Sequence, residues 1–429
     1  MAKILFVPAS GREIEQLSLV RNELPDRDIF AIALNETLGA SLQRTGFSYH
    51  NLAHYKASNM LDIIQKEMPD LLIAYDEGGA ESGFIVAAKY VGVPVLMMDD
   101  GLTGGASAYK ISKKVLLWKI FRWFKSEGKF RSYWPLLVTL KATNSPWRFL
   151  KNAIKASLRF FRHSFNFIDG VNVAVVSSHA RKMYINMGAE PERVFVTGQP
   201  RFDQIWQKKF DREYAFKELG LSQDKGIVVL ATQPLLGSFW TEKDRENFVT
   251  TIVNAMDQFP EKQLVIKLHP SEKMEEYRQI LTKMGHDGVI ICQDIDLYQL
   301  LHASDLLMTI HSTVALEAML LDKPVITVNL SGRPDLFPFA ESGAAIGVYD
   351  EKSLVPAIRK ALYDAKVGSE MKRKRTQFVQ EHAYKQDGQA SKRMAELIIQ
   401  LAEEAKPKAG MSNSVSGKKP VRVVSERDS

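Results

Sequence analysis

The first hundred residues alternate between short apolar runs and longer stretches with helical spacing. Ile4–Pro8 is apolar throughout and predicts a strand. In Glu13–Leu24 the apolar positions Ile14, Leu17, Val20 and Leu24 share one face and predict a helix. Ile29–Leu34 predicts a strand, Ala57–Glu67 a helix, Leu71–Tyr75 a strand, Ala80–Val91 a helix and Val93–Met98 a strand. Strands that are apolar almost throughout, separated by helices, imply a parallel sheet covered on both faces. The pattern breaks at Asp99 and resumes near Asn172. There Asn172–Ser177 predicts a strand, Ser178–Met187 a helix and Arg193–Val196 a strand.

Gly198 and Pro200 then interrupt the chain within Thr197–Asp203, which reads as an inter-domain linker. A second series follows. Ile227–Ala231, Gln263–Leu268, Val289–Cys292, Leu306–Ile310 and Pro324–Val328 predict strands, with helices near 242–258, 272–284, 296–303, 313–321 and 351–365. The expected fold class is α/β, with two doubly wound Rossmann-like domains. The first spans 1–198 on the acceptor side and the second 199–403 on the nucleotide-donor side. A helical insertion at 110–165 interrupts the first. The tail, 404–429, is rich in Lys, Ser, Gly and Pro and is expected to be disordered.

In open parallel sheets, ligands bind beyond the carboxyl ends of the strands, so the residues after each strand are the candidates. The second domain offers Thr232-Gln233, Lys267-Leu268-His269-Pro270 and His311-Ser312-Thr313. The Ser/Thr pair opens a helix, where unpaired N–H groups and added hydroxyls suit a phosphate; a plain N-cap would use the same residues. Glu317 lies one turn further on and could accept hydrogen bonds from a ribose diol. His269 could donate to a phosphate, or simply finish the strand. In the first domain, Asp99-Asp100-Gly101 places two adjacent carboxylates at a sheet edge. Each raises the other's pKa, which suits a general base. Asp76-Glu77-Gly78 is a second acidic glycine turn, and both could be ordinary solvated turns.

Composition is that of a globular protein, with 45% hydrophobic and 25% charged residues over 429 positions. The single cysteine, Cys292, excludes an internal disulfide. No signal-peptide pattern and no run long enough to span a membrane is found, so a cytoplasmic protein is expected. Charge is unevenly placed. Lys110 to Arg162 holds 14 Lys or Arg and one acid, Glu127, a net +13, which leaves −6 for the remainder of a chain whose total is +7. Lys113, Lys114, Trp118, Lys119, Arg122 and Trp123, then Lys155, Arg159 and Arg162, mix cations with Trp, Phe, Leu and Ile. That mixture suits an anionic membrane surface, with aromatics at the acyl boundary and cations on headgroups. A nucleic-acid grip or a buried helical arm would use similar residues, and the density of Trp and Phe with Leu and Ile favours lipid over nucleic acid.

These motifs resemble the GT-B class of nucleotide-sugar enzymes over roughly residues 1–400. Thr197–Asp203 is similar to the class's G-x-P-x-x-D segment, Lys267–Pro270 to its His-Pro motif, and His311–Pro324 to its Ser/Thr…Glu-Ala…Pro motif. The pattern recurs in bacterial sialyltransferases, capsule glycosyltransferases and CDP-glycerol glycerophosphotransferases, and in part in UDP-N-acetylglucosamine 2-epimerases. Asp99-Asp100-Gly101 resembles the sialyltransferases' acidic motif, which implies catalysis by Asp100 as base, with Asp99 beside it and His269 assisting the departing nucleotide. The resemblance implies nucleotide binding by Thr232, Gln233, Lys267, His269, His311, Ser312, Thr313 and Glu317. The epimerases' His-Arg-x-Glu-Asn motif is replaced by Thr232-Gln233-Pro234-Leu235-Leu236, although Gly11-Arg12-Glu13 echoes their first loop.

The function expected is an inverting glycosyltransferase of cell-surface polysaccharide synthesis, peripheral at the inner face of the cell membrane. It would take a nucleotide-sugar or CDP-linked donor and a lipid-linked glycan acceptor, with no cofactor and no metal. The alternatives are CDP-glycerol-type glycerophosphate transfer, 2-epimerisation, and a non-enzymatic membrane or nucleic-acid binding protein.

Overall fold

The computed structural model describes residues 2–24, 28–75, 79–99, 139, 141–142, 170–234 and 241–404. Two parallel sheets dominate it. The first contains β1 (Lys3–Phe6), β2 (Asp28–Ala33), β3 (Ser48–Asn51), β4 (Leu71–Ala74), β5 (Val95–Met98), β6 (Asn172–Val175) and β7 (Val194–Val196), in the order β3-β2-β1-β4-β5-β6-β7. The second contains β8 (Gly226–Ala231), β9 (Lys262–Lys267), β10 (Ile290–Cys292), β11 (Leu306–Thr309), β12 (Val325–Val328) and β13 (Ile346–Val348), in the order β10-β9-β8-β11-β12-β13. Leu5 pairs with Phe30 on one side and Leu72 on the other. Val229 pairs likewise with Val265 and Leu307.

β4, β5, β6, β11 and β12 are buried at every position, which explains sequences that are apolar except for Asn172, Thr309 and Thr327. Each sheet separates two apolar layers. Leu5, Leu72 and Phe84 lie on one side of the first, and Ile4, Phe6 and Ile73 on the other. Side chains alternate across a strand, so adjacent residues feed opposite layers. Ser10, Asn35, Asn59 and Ser177 cap the helices that follow strands of the first body. Thr241 and Asp244 form a reciprocal capping box on Glu242–Met256.

The C-terminal segment is shared between the two bodies. One helix, Ala365–His382, packs on the second body through Phe378 and Val379. The next, Ala390–Glu404, returns to the first and buries Met394, Leu397, Ile398 and Leu401 beside Phe6, Ile14 and Leu17. A turn with Tyr384 and Gly388 at positive φ separates the two helices. A second seam is aromatic: His179 of Ser178–Asn186 packs on His382 with ring centroids 4.3 Å apart, and His382 stacks on Phe378 at 4.0 Å.

Several smaller elements lie outside the expected set, among them the helices Glu36–Arg44 and Arg212–Leu219, the edge strand β3 and the short strand β13. Among the described residues, no helix is long and apolar enough to cross a membrane. The insertion at 110–165 falls outside them apart from Thr139, Lys141 and Ala142. Thr139 is buried, and its hydroxyl accepts from the N–H of Met60 at 3.1 Å.

Candidate active site

In the second sheet β8 lies between β9 and β11, so crossovers leave it in opposite directions and open a crevice at its carboxyl end. Thr232 and Gln233 follow β8, and His311 and Ser312 follow β11. The crevice is spanned by one hydrogen bond, from the N–H of His311 to Oε1 of Gln233 at 3.0 Å. Burial holds the His311 imidazole below its usual pKa, and Asp335 opposes the shift.

His269 follows β9 on a turn held from several sides. Its N–H faces Oγ1 of Thr232 and Oε2 of Glu272, each at 3.2 Å. The Thr232 hydroxyl donates to the same Glu272 oxygen at 2.5 Å, and the Tyr277 hydroxyl donates to the other at 2.7 Å. Nε2 of Gln293 donates to the carbonyls of His269 and Glu272 at 2.8 and 2.9 Å.

The ring itself is also fixed. The Ser271 N–H donates to Nδ1 at 3.2 Å, and the Ser271 hydroxyl lies 2.8 Å from the same nitrogen. Nδ1 is therefore an acceptor, and a neutral ring carries its proton on Nε2. Burial lowers the pKa of His269; Arg12 and Lys267 lower it further, and Glu272 opposes them. Arg12 belongs to the first-body helix Gly11–Arg21, so its charge reaches His269 from across the cleft. The outcome is a neutral imidazole that offers a proton donor at Nε2, a form suited to a phosphate oxygen.

The remaining candidate residues of the second body are turned in different ways. Lys267 Nζ donates to the carbonyl of Leu268 at 3.0 Å, and burial lowers its pKa. Ser312 Oγ accepts from the N–H of Val314 at 3.2 Å, whereas Thr313, at the N-cap of Val314–Leu320, makes no side-chain cap bond. Glu317 points inward and is 2% exposed. Its Oε1 is ion-paired with Nη2 of Arg201, which is carried by the linker. The structure thus joins Thr232 to His269 and Gln233 to His311, and places Glu317 against a residue that the sequence did not single out.

On the other side, Asp99 is buried just beyond β5, and its N–H donates to the carbonyl of Ala174 at 2.8 Å. Asp100, the turn Asp76–Gly78, and Lys113, Lys114, Trp118, Lys119, Arg122, Trp123, Lys155, Arg159 and Arg162 lie outside the described residues.

Three supporting residues escaped the sequence reading. Glu272 stands three positions after His269, a spacing that could have signalled a turn clamp. Gln293 follows β10 and had no local signal. Arg201 had none either, since its partner lies 116 residues away.

Residues 155–400, more than half of the chain, match the family described as CDP-glycerol:poly(glycerophosphate) glycerophosphotransferase. Among curated proteins, Protein FixF of Sinorhizobium fredii (strain NBRC 101917 / NGR234) is 38% identical over 97 residues, 22% of this chain. The chain spans only 23% of the length of that relative. Solved structures share the whole architecture at low identity. A putative UDP-N-acetylglucosamine 2-epimerase from Listeria monocytogenes matches with a TM-score of 0.60 at 15% identity, covering 94% of this chain and 97% of its own. The S. aureus MnaA–UDP co-structure matches at 0.58 and 16%, covering 93% and 96%. The H444N variant of the wall teichoic acid polymerase TagF matches at 0.58 and 13%, covering 94% and 89%. These likenesses establish the two-sheet GT-B fold.

Proposed function

Because the chain belongs to the CDP-glycerol:poly(glycerophosphate) glycerophosphotransferase family, we propose that it transfers a glycerophosphate-type unit from a CDP-linked donor to a hydroxyl of an envelope glycan. The observation that carries the proposal is the neutral His269, held by Ser271 with its Nε2–H available at the carboxyl edge of the second sheet. The family assignment moves glycerophosphate transfer ahead of glycosyl transfer.

In this reading the acceptor oxygen attacks the donor's distal phosphorus. The bond between that phosphorus and the bridging oxygen breaks, and CMP departs with the bridging oxygen. The acceptor proton passes to a carboxylate, assigned from the sequence to Asp100 with Asp99 beside it. His269 donates to phosphate oxygen as negative charge develops on the leaving group, the kind of electrostatic stabilisation that works best from a fixed donor. Thr232 and Glu272 keep the His-Pro turn in place. Gln233, His311, Ser312 and Thr313 line the nucleotide side, and Glu317 is assigned to the ribose. No metal or other cofactor enters the scheme.

The acceptor is assigned to a lipid-linked glycan at an anionic membrane surface on the cytoplasmic side. Support for this comes from the net +13 between Lys110 and Arg162. Thermal unfolding with CDP, CMP, UDP and GDP tests the donor assignment. A ligand at a hundred times its Kd stabilises the fold by about 2.7 kcal/mol, and CDP is expected to give the largest rise. No response to any of the four counts against a nucleotide donor.

A further inference from the structure

Arg201 and Glu317 form a buried pair across the hinge of the molecule. Arg201 sits in the linker segment Pro200–Asp203, and Glu317 on the second-body helix Val314–Leu320. The Glu317 side chain is 2% exposed and that of Arg201 18%. Oε1 of Glu317 is ion-paired with Arg201, whereas its buried Oε2 has no hydrogen-bond partner among the described residues. A buried carboxylate with only one oxygen satisfied retains acceptor capacity for two further donors. A vicinal ribose diol supplies two hydroxyl donors.

The linker that carries Arg201 is docked by the returning helix. Asp203 accepts from the N–H groups of Ala390 and Ser391 at 2.9 and 2.7 Å. Nε of Arg393 donates to the carbonyl of Thr197 at 2.8 Å. Gly198 takes φ +85°, and a Cβ there would stand 3.1 Å from Cβ of Ala390. The Tyr298 hydroxyl donates to the Arg201 carbonyl at 3.3 Å. Arg201 thus reaches Glu317 from a linker that lies against Ala390–Glu404, a helix seated in the first body's core.

We propose that Arg201 is a positioning residue of the donor site, which turns Glu317 so that its second oxygen receives the ribose diol of a nucleoside diphosphate donor. The inference rests on the nucleotide-donor reading above and adds a linker residue to it. It also makes ribose recognition depend on how the two bodies are docked.

The test is titration calorimetry of the full chain with CDP and 2′-deoxy-CDP. Losing one charge-assisted hydrogen bond costs roughly tenfold or more in affinity, so the wild type should prefer CDP by about that factor. In Arg201→Met and in Glu317→Gln the preference should collapse towards one. Arg201→Lys, which keeps the charge without the planar fork, should retain part of it. A folded Arg201→Met that binds both nucleotides more weakly but keeps the wild-type ratio overturns the proposal, because the pair is then only a linker anchor. If Arg201→Met does not fold, an unchanged ratio in Arg201→Lys overturns it equally. A wild type that binds the two nucleotides with equal affinity sinks this inference alone, whereas one that binds neither sinks the nucleotide reading beneath it.

Discussion

Asp203 accepts a hydrogen bond from the backbone N–H of Ser391 at 2.7 Å, across 188 residues of sequence. A second bond, from Ala390, makes the linker carboxylate the cap of the returning helix. The glycine, proline and aspartate of the linker motif thus have structural work. Gly198 permits close approach, Pro200 starts a 3-10 turn, and Asp203 ties that turn to Ala390–Glu404.

Replacing Asp203 by Ala should cost about 2 kcal/mol, since two buried N–H groups lose a charged acceptor. Urea denaturation monitored by circular dichroism measures this. A change below roughly 0.5 kcal/mol, the size of an ordinary surface substitution, would show that the cap carries little of the docking.

His269→Ala should lower the transfer rate by roughly a hundredfold or more, with nucleotide affinity changed much less. The pH dependence has a definite sign. The working form is the neutral ring, and burial holds the folded pKa below the usual 6.5. Activity should persist as pH falls through 6.5 and decline only below it, where protonation at Nδ1 breaks the bond from Ser271. A kcat profile whose acid limb lies at or above 6.5, and disappears in His269→Ala, would contradict the assignment.

Much of this was legible in the sequence because it is local. The all-apolar runs Leu71–Ala74 and Val95–Met98 have few other uses, and each ends where its sheet edge does. β3 was not legible, since Ser48-Tyr49-His50-Asn51 is a largely exposed edge whose hydrogen bonds to β2 leave no apolar trace. β13 is three residues long with Gly347 at its centre, too short to show a period. The candidate site divides in the same way. His269 and His311 stand at strand ends that the sequence marks, whereas the pairing of Arg201 with Glu317 and the return of Ala390–Glu404 to the first body arise from tertiary packing alone.

His382 should make the fold sensitive to acid. The ring is 5% exposed between His179 and Phe378. Burial first, and then the charge of His179, holds its pKa down to about 4, while Glu381 opposes the shift. The unfolded chain takes up this proton near pH 6.5 and the folded chain only near 4. Stability is therefore lost as pH falls between those values, by about 3 kcal/mol. His382→Phe keeps an apolar ring in the stack and should flatten that part of the stability–pH curve. An unaltered curve would place the acid sensitivity elsewhere.

The basic segment should bind anionic vesicles. Each cation near such a surface contributes on the order of 1 kcal/mol, and salt screens it. Co-sedimentation with phosphatidylserine–phosphatidylcholine vesicles should be strong at low salt and fall as salt rises. Reversing Lys113, Lys114, Lys119 and Arg122 to Glu should weaken it severalfold. Equal binding to pure phosphatidylcholine would contradict the electrostatic role.

The transfer chemistry is tested most directly by identifying the nucleotide released. The chain is incubated with CDP-glycerol and a poly(glycerophosphate) primer, and the products are followed by phosphorus NMR. The expected outcome is CMP released in step with a new phosphodiester on the primer, both strongly reduced by His269→Ala. No primer-dependent CMP release, or an unchanged rate in a folded His269→Ala, would contradict it.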